Sequence, residues 1–133
     1  MQIRELSAGE LTQGYALLST LRLDLTSEEF ESFIASHFPK DYRPIGAYTR
    51  GDLHIYAGVS IRENLELGRH LILDDFVVRE GYETMAQEMI DFLNDYAKMH
   101  NCLCVLILGT HKGLKWEHLN GFRPKRDGFI KIL

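Results

Sequence analysis

Residues 69 to 93 read RHLILDDFVVREGYETMAQEMIDFL. Two apolar runs, Leu71-Ile72-Leu73 and Phe76-Val77-Val78, are broken only by Asp74 and Asp75. A strand covered on both faces has this composition. Thr84 followed by Gln87 fits a capping box, which makes Met85 the first residue of a helix running to His100. Within it Ala86, Met89, Ile90, Leu93 and Ala97 repeat at helical spacing, and Met85, Phe92, Tyr96 and Met99 widen the stripe. A strand that runs into a helix N-terminus brings free backbone N–H groups and the positive end of the helix dipole to one point, which suits an anion. Function is therefore expected near this turn.

Outward from this stretch, Cys102 to Leu108 (CLCVLIL) is a second buried strand. A helix joining two strands in this way makes them parallel neighbours. Upstream, Ile45 to Thr49 and Leu53 to Ile61 read as a hairpin around Arg50-Gly51-Asp52, followed by a loop from Glu63 to Gly68. Before them, Ile3 to Leu6 reads as a first strand. Ser7 with Glu10 and Thr26 with Glu29 are two more capping boxes, each heading a helix. The first carries Leu11, Tyr15, Leu18 and Leu21; the second carries Phe30, Phe33, Ile34 and Phe38 and stops at Pro39. Downstream, Thr110 caps a short helix to Leu119, Asn120-Gly121 ends it, and Phe122 and Gly128 to Leu133 supply the last strands. The expectation is a single α/β domain over residues 1–133: a mixed central sheet of about six or seven strands flanked by about four helices.

Composition agrees with one domain. The 133 residues include 45% hydrophobic residues, enough for a sizeable core. No apolar run is long enough to span a bilayer, and Met1 to Glu10 lacks a signal-peptide pattern, so a cytoplasmic protein without a membrane partner is expected. A net charge of −4 argues against nucleic acid as the main partner. Cys102 and Cys104, two apart on the expected strand, should share a face at about 6.5–7 Å, the outer limit for a disulfide, and read as reduced core thiols.

Most local catalytic and binding signatures are missing. There is no HExxH, no GxSxG, no GxxxxGK[ST] and no GxGxxG. His111 and His118, with Glu117 beside the latter, read as surface residues, and no metal site is expected. Asp74 and Asp75 stand out, because carboxylates inside an apolar strand are costly unless partnered or used. Strand alternation sends them to opposite faces: one buried on Arg69, Arg62 or backbone, the other open to a cleft as a base for an amine proton.

Several segments together resemble the GNAT superfamily of N-acetyltransferases. They are Leu23 to Phe30 (LDLTSEEF), Glu63-Asn64-Leu65, Gly68-Arg69-His70-Leu71, Asp74-Asp75-Phe76-Val77, and Gly121-Phe122. The resemblance covers nearly the whole chain and implies acetyl transfer from acetyl-CoA to an amine of a small-molecule or protein acceptor, with homodimerisation as one option. It implies Asp74 or Asp75 as base or water relay, and backbone N–H groups at Phe76, Val77 and Val78 as contacts to the thioester arm. The pyrophosphate would lie on Gly81, Thr84, Met85 and Ala86. The family's [RQ]xxGx[GA] loop is degenerate here: Gly81 stands at the arginine position, Tyr82 and Thr84 replace glycines, and only Ala86 fits. Glu80 and Glu83 add negative charge against Arg79. Glu117 stands where the family places a tyrosine acid, leaving Tyr82 and Glu117 as candidates for that role. The alternative is a catalytically inactive GNAT-fold module that binds acetyl-CoA poorly, or binds another ligand or a protein.

Overall fold

The computed structural model describes residues 1–108, 111, 114–125 and 127–133, with only the backbone of Trp116. The first capping box lies where expected: the Glu10 carboxylate accepts the Ser7 N–H at 2.8 Å, between β1 (Gln2–Glu5) and α1 (Leu11–Leu18). The second is reciprocal, with the Thr26 hydroxyl accepting from the Glu29 N–H and the Glu29 carboxylate from the Thr26 N–H. It opens α2 (Ser27–His37). The hairpin follows as β2 (Arg43–Thr49) and β3 (Asp52–Asn64), its turn built on Arg50 and Gly51 at positive φ. Next come β4 (Gly68–Val78), α3 (Ala86–Met99), β5 (Cys104–Leu108), β6 (Arg123–Lys125) and β7 (Gly128–Ile132).

The strands form one seven-stranded sheet in the order β1-β2-β3-β4-β5-β7-β6, and β4–β5 is its parallel pair. One face packs on α3, where Leu71, Leu73 and Phe76 meet Ala86, Met89, Ile90, Leu93 and Ala97. Complete burial of a side chain such as Phe76 contributes about 1.5–3 kcal/mol. The other face packs on α1 and α2 through Leu17, Phe30, Ile34, Tyr42, Tyr56 and Val77. α3 ends with Asn101 at φ 63° and the Cys102 N–H returned to the Ala97 carbonyl.

Two expectations change. Among the described residues the segment from Thr110 to Leu119 holds only a three-residue 3₁₀ turn, Trp116–His118, so three α-helices flank the sheet rather than four; Thr110 itself lies outside the described residues. The cysteines do not share a face. β5 begins at Cys104, while Cys102 still belongs to the turn after α3, so Cys102 packs on the α3 side and Cys104 on the opposite side with Ile72, Leu106 and Ile130. Both thiols are free and buried, and burial pushes both up. No helix among the described residues is long and apolar enough to cross a membrane.

Candidate active site

β4 carries a bulge. Leu73 faces Val59 on β3 and Asp75 faces Gly58, so Asp74 is the extra residue. A bulge bends its strand and increases the local twist. Pairing of β4 with β5 runs from His70–Cys104 to Leu73–Ile107 and stops. β5 itself ends at Leu108 while β4 continues to Val78, so among the described residues no strand pairs with Asp74 to Val78 on that side.

The bulge also overturns the opposite-face expectation for the aspartates. Asp74 and Asp75 line one hollow on the α2 side of the sheet. Their partners are hydroxyls rather than arginines. Ser60 Oγ donates to Asp74 Oδ2 at 2.7 Å, and Tyr42 OH donates to Asp75 Oδ2 at 2.8 Å. Tyr56 OH lies 2.8 Å from Tyr42 OH, and since the Tyr42 proton is committed to Asp75, Tyr56 donates. Neither aspartate is fully buried: Asp74 is exposed and Asp75 intermediate. Crowding by the surrounding protein still raises the Asp74 pKa, opposed by its Ser60 bond, with the nearby Asp75 charge raising it further. Burial pushes Tyr42 and Tyr56 well up, so both phenols stay protonated at neutral pH. Gly58 makes the relay possible, because a Cβ there would run into the Tyr42 hydroxyl.

A cleft of about 800 Å³ lies beside the C-terminal end of β4. Ala16, Leu17 and Leu21 of α1 and its C-terminal end form one wall, and Val77 to Glu80 with Glu83 form the other. The expected capping box at Thr84 is absent. The chain turns at Arg79–Tyr82 with Gly81 at φ 92°, then enters a 3₁₀ turn, Glu83–Met85, and α3 starts at Ala86. Thr84 makes no cap, and Gln87 bonds to Asp91 instead. The Met85 N–H is taken by the Tyr82 carbonyl and the Ala86 N–H by that of Glu83. Tyr82 stacks on His54, ring centroids 3.9 Å apart. The Arg79 guanidinium is turned back onto the Leu53 carbonyl.

The structure thus places Asp74, Asp75, Phe76, Val77 and Val78 at the C-terminal end of β4, with Tyr82, Gly81, Thr84, Met85 and Ala86 on the turn beyond it. Glu117 stands apart, exposed in a separate hollow with Gln87, Asp91 and Asn120. The histidines are not the surface residues expected. His118 is buried, and its Nδ1 accepts the Lys115 N–H. His111 packs against Phe76, and burial lowers its pKa against the pull of Asp75 and Asp74. Tyr42, Tyr56, Ser60 and His54 were not legible as site residues: each reads as an ordinary strand or loop residue, and its partner lies far off in sequence. One signal was present. Leu71 and Leu73 alternate in one phase and Phe76 and Val78 in the other, and that slip of one residue marks a bulge.

No protein-family model matches the chain, and no curated protein matches it by sequence. Solved structures do. An acetyltransferase from Trypanosoma brucei superposes with a TM-score of 0.75 at 19% identity, covering 94% of each chain. Glucosamine-6-phosphate N-acetyltransferase from Arabidopsis thaliana gives 0.69 at 21% identity, covering 94% of this chain and 92% of that one. Aminoglycoside 6'-N-acetyltransferase from Acinetobacter baumannii gives 0.69 at 18% identity, covering 82% and 79%. With its parallel β4–β5 pair and crossover helix, the chain has the GNAT fold of these N-acetyltransferases.

Proposed function

We propose that the protein is an acyltransferase that moves an acetyl group from acetyl-CoA to an amine. The observation that carries this reading is the edge of β4 from Asp74 to Val78, which no strand among the described residues pairs on the β5 side, bordering a cleft and a hydroxyl–carboxylate relay. An unpaired strand edge offers backbone donors and acceptors to an amide-bearing arm, which is what pantetheine is. Phe76, Val77 and Val78 would hold that arm, and Gly81, Thr84, Met85 and Ala86 would face the diphosphate. Bound there, acetyl-CoA would supply an activated thioester.

The chain's own residues then have distinct tasks. Asp75 pairs with the acceptor's ammonium, and the Tyr42 bond orients its carboxylate. Asp74, beside it, gives a second acceptor for water. As the carbon–nitrogen bond forms, the carbon–sulfur bond breaks. Of the two protons the ammonium sheds, one leaves through Asp75 and solvent and the other ends on sulfur. Tyr82 and Glu117 remain proposed donors, Tyr82 nearer the cleft.

The diphosphate end fits less well, and this favours the second reading, a GNAT-fold binding module without acetyl transfer. Glu80 and Glu83 oppose Arg79 and Lys115 around the cleft, and two of the turn's N–H groups are already engaged. Thermal unfolding with acetyl-CoA tests donor binding, since a ligand at a hundred times its Kd stabilises by about 2.7 kcal/mol. Mass spectrometry of an amine panel then tests transfer. A shift with product supports the enzyme; a shift without product supports the module; no shift at millimolar acetyl-CoA rejects the acyltransferase reading.

A further inference from the structure

The turn from Arg79 to Met85 hangs on one short piece of β3. Across the β2–β3 pair, Ala47 faces Ile55 and Tyr48 faces Leu53, so His54 is an extra residue, a second bulge after that in β4. A bulge re-aims its side chain. Here the imidazole lies flat under Tyr82, with ring centroids 3.9 Å apart and planes 9° from parallel. Backbone and guanidinium add to the anchor. The Arg79 N–H donates to the His54 carbonyl at 2.7 Å, and Arg79 Nε and Nη2 donate to the Leu53 carbonyl at 3.2 and 2.8 Å. Arg79, Glu80 and Glu83 of the same turn line the large cleft, so what holds the turn also holds that wall.

The side chain at this anchor is ionisable. His54 is 5% exposed, and its Nδ1 is buried with no partner among the described residues. A neutral imidazole leaves one nitrogen as an acceptor, whereas an imidazolium is a donor at both. Protonation would therefore set a charged N–H where nothing receives it. Among the described residues two charged groups act on the ring. Arg79 on the turn repels a proton, and Asp52 at the start of β3 attracts one. Burial, the larger influence, acts together with Arg79, so the pKa is held below the ordinary 6.5. A histidine lowered in this way favours the docked state when neutral, and that support is lost as pH falls below 6.5. The Tyr82 face attracts a cation, but water hydrates every edge of a released imidazolium, and the docked site shuts Nδ1 off from it.

We propose that His54 is a pH-sensitive latch on the turn: neutral, it holds Tyr82 and the cleft wall in place, and on protonation it releases them. The latch acts on the cleft whatever ligand the cleft takes, so it stands apart from the acyltransferase reading. Acidification through the histidine range loosens one wall of the cleft while the sheet and α3 stay folded.

Amide hydrogen exchange read by NMR from about pH 7.5 to about pH 5, with the His54 ring signals followed in the same samples, tests the latch. The Tyr82 and Met85 N–H groups bond within the turn, to the Arg79 and Tyr82 carbonyls, and so report its order. Their protection factors are expected to fall at least about threefold towards the acid end, in step with the His54 titration. Protection of Leu93 in α3 should stay constant. His54→Phe keeps a flat ring under Tyr82 with no proton to gain, and should make protection of the turn independent of pH. Tyr82→Ala, at a half-buried position, probes the same link from the other side. It should lower Met85 protection already at neutral pH and raise the His54 midpoint as the ring gains water. Turn protection that stays constant while His54 titrates overturns the proposal, as does a His54 that stays neutral throughout. So does a pH-dependent fall that persists in His54→Phe, a loss at Leu93 in step with the turn, or a His54 midpoint unmoved by Tyr82→Ala.

Discussion

Tyr42 and Glu10 show how much single side chains carry. Tyr42 is 4% exposed, and its hydroxyl links Tyr56 to Asp75. Tyr42→Phe should cost about 1–3 kcal/mol in urea unfolding, because it strands the Tyr56 hydroxyl in the core as well as removing a bond. Gly58→Ala, which pushes a methyl group into the same hydroxyl, should cost a similar amount. Glu10 receives both Arg4 guanidinium nitrogens at 2.6 Å and the Ser7 N–H. The Arg4 bonds, helped by Ser7 and opposed by burial, hold its carboxyl down from an ordinary 4.5 to about 2. A depressed carboxylate stabilises the fold fully above its unfolded pKa, and the contribution is lost as pH falls through the folded value. Glu10→Gln should therefore destabilise by about 1 kcal/mol at neutral pH. That deficit should shrink from pH 4.5 towards pH 2, as denaturant melts across this range would record. At this scale the sequence is half legible. The Asp74–Asp75 doublet announces itself, whereas Tyr42 lies 33 residues from Asp75 and gives no local sign.

The helix starts show the same division among elements. Thr26-x-x-Glu29 and Thr84-x-x-Gln87 are the same pattern on paper. The first is a working cap; the second lies inside a 3₁₀ turn that has already begun at Glu83. Local sequence cannot tell them apart, because the stacking of Tyr82 on His54, a tertiary contact, accompanies the early entry of the chain into that turn. Thr26→Ala should cost about 1 kcal/mol. Thr84→Ala, exposed and without a cap bond, should stay within about 0.5 kcal/mol. Thermal melts of the two variants side by side give the comparison. The parallel β4–β5 pair was legible for a more general reason: a strand, an amphipathic helix and a strand leave few other topologies. How far their pairing runs was not, because no local pattern marks Leu73 and Ile107 as its last partners.

For the molecule as a whole, the net charge of −4 and the acidic turn set what the cleft will accept. Glu80 and Glu83 stand against Arg79 and Lys115 there. Arg123 and Lys125 carry further positive charge on β6, while Lys112 and Arg126 lie outside the described residues. An anionic donor should therefore bind weakly and lose affinity steeply with added salt. Glu83→Arg should tighten acetyl-CoA binding by roughly 1 kcal/mol. Calorimetry at two ionic strengths checks both; micromolar affinity that ignores salt would show that the turn cradles the diphosphate through backbone alone.

The placement of the two cysteines has a practical consequence. Cys102 and Cys104 sit on opposite faces of the sheet, 6% and 1% exposed, with thiols that burial makes harder to ionise. A chromophoric disulfide reagent releases its colour when a thiolate attacks it, so the native protein should stay silent towards it. Under the proposed acyl transfer, the coenzyme sulfhydryl released in each turnover could then be followed continuously by colour with little background. Left without substrate, the same reagent becomes a stopwatch for the fleeting opening of the sheet.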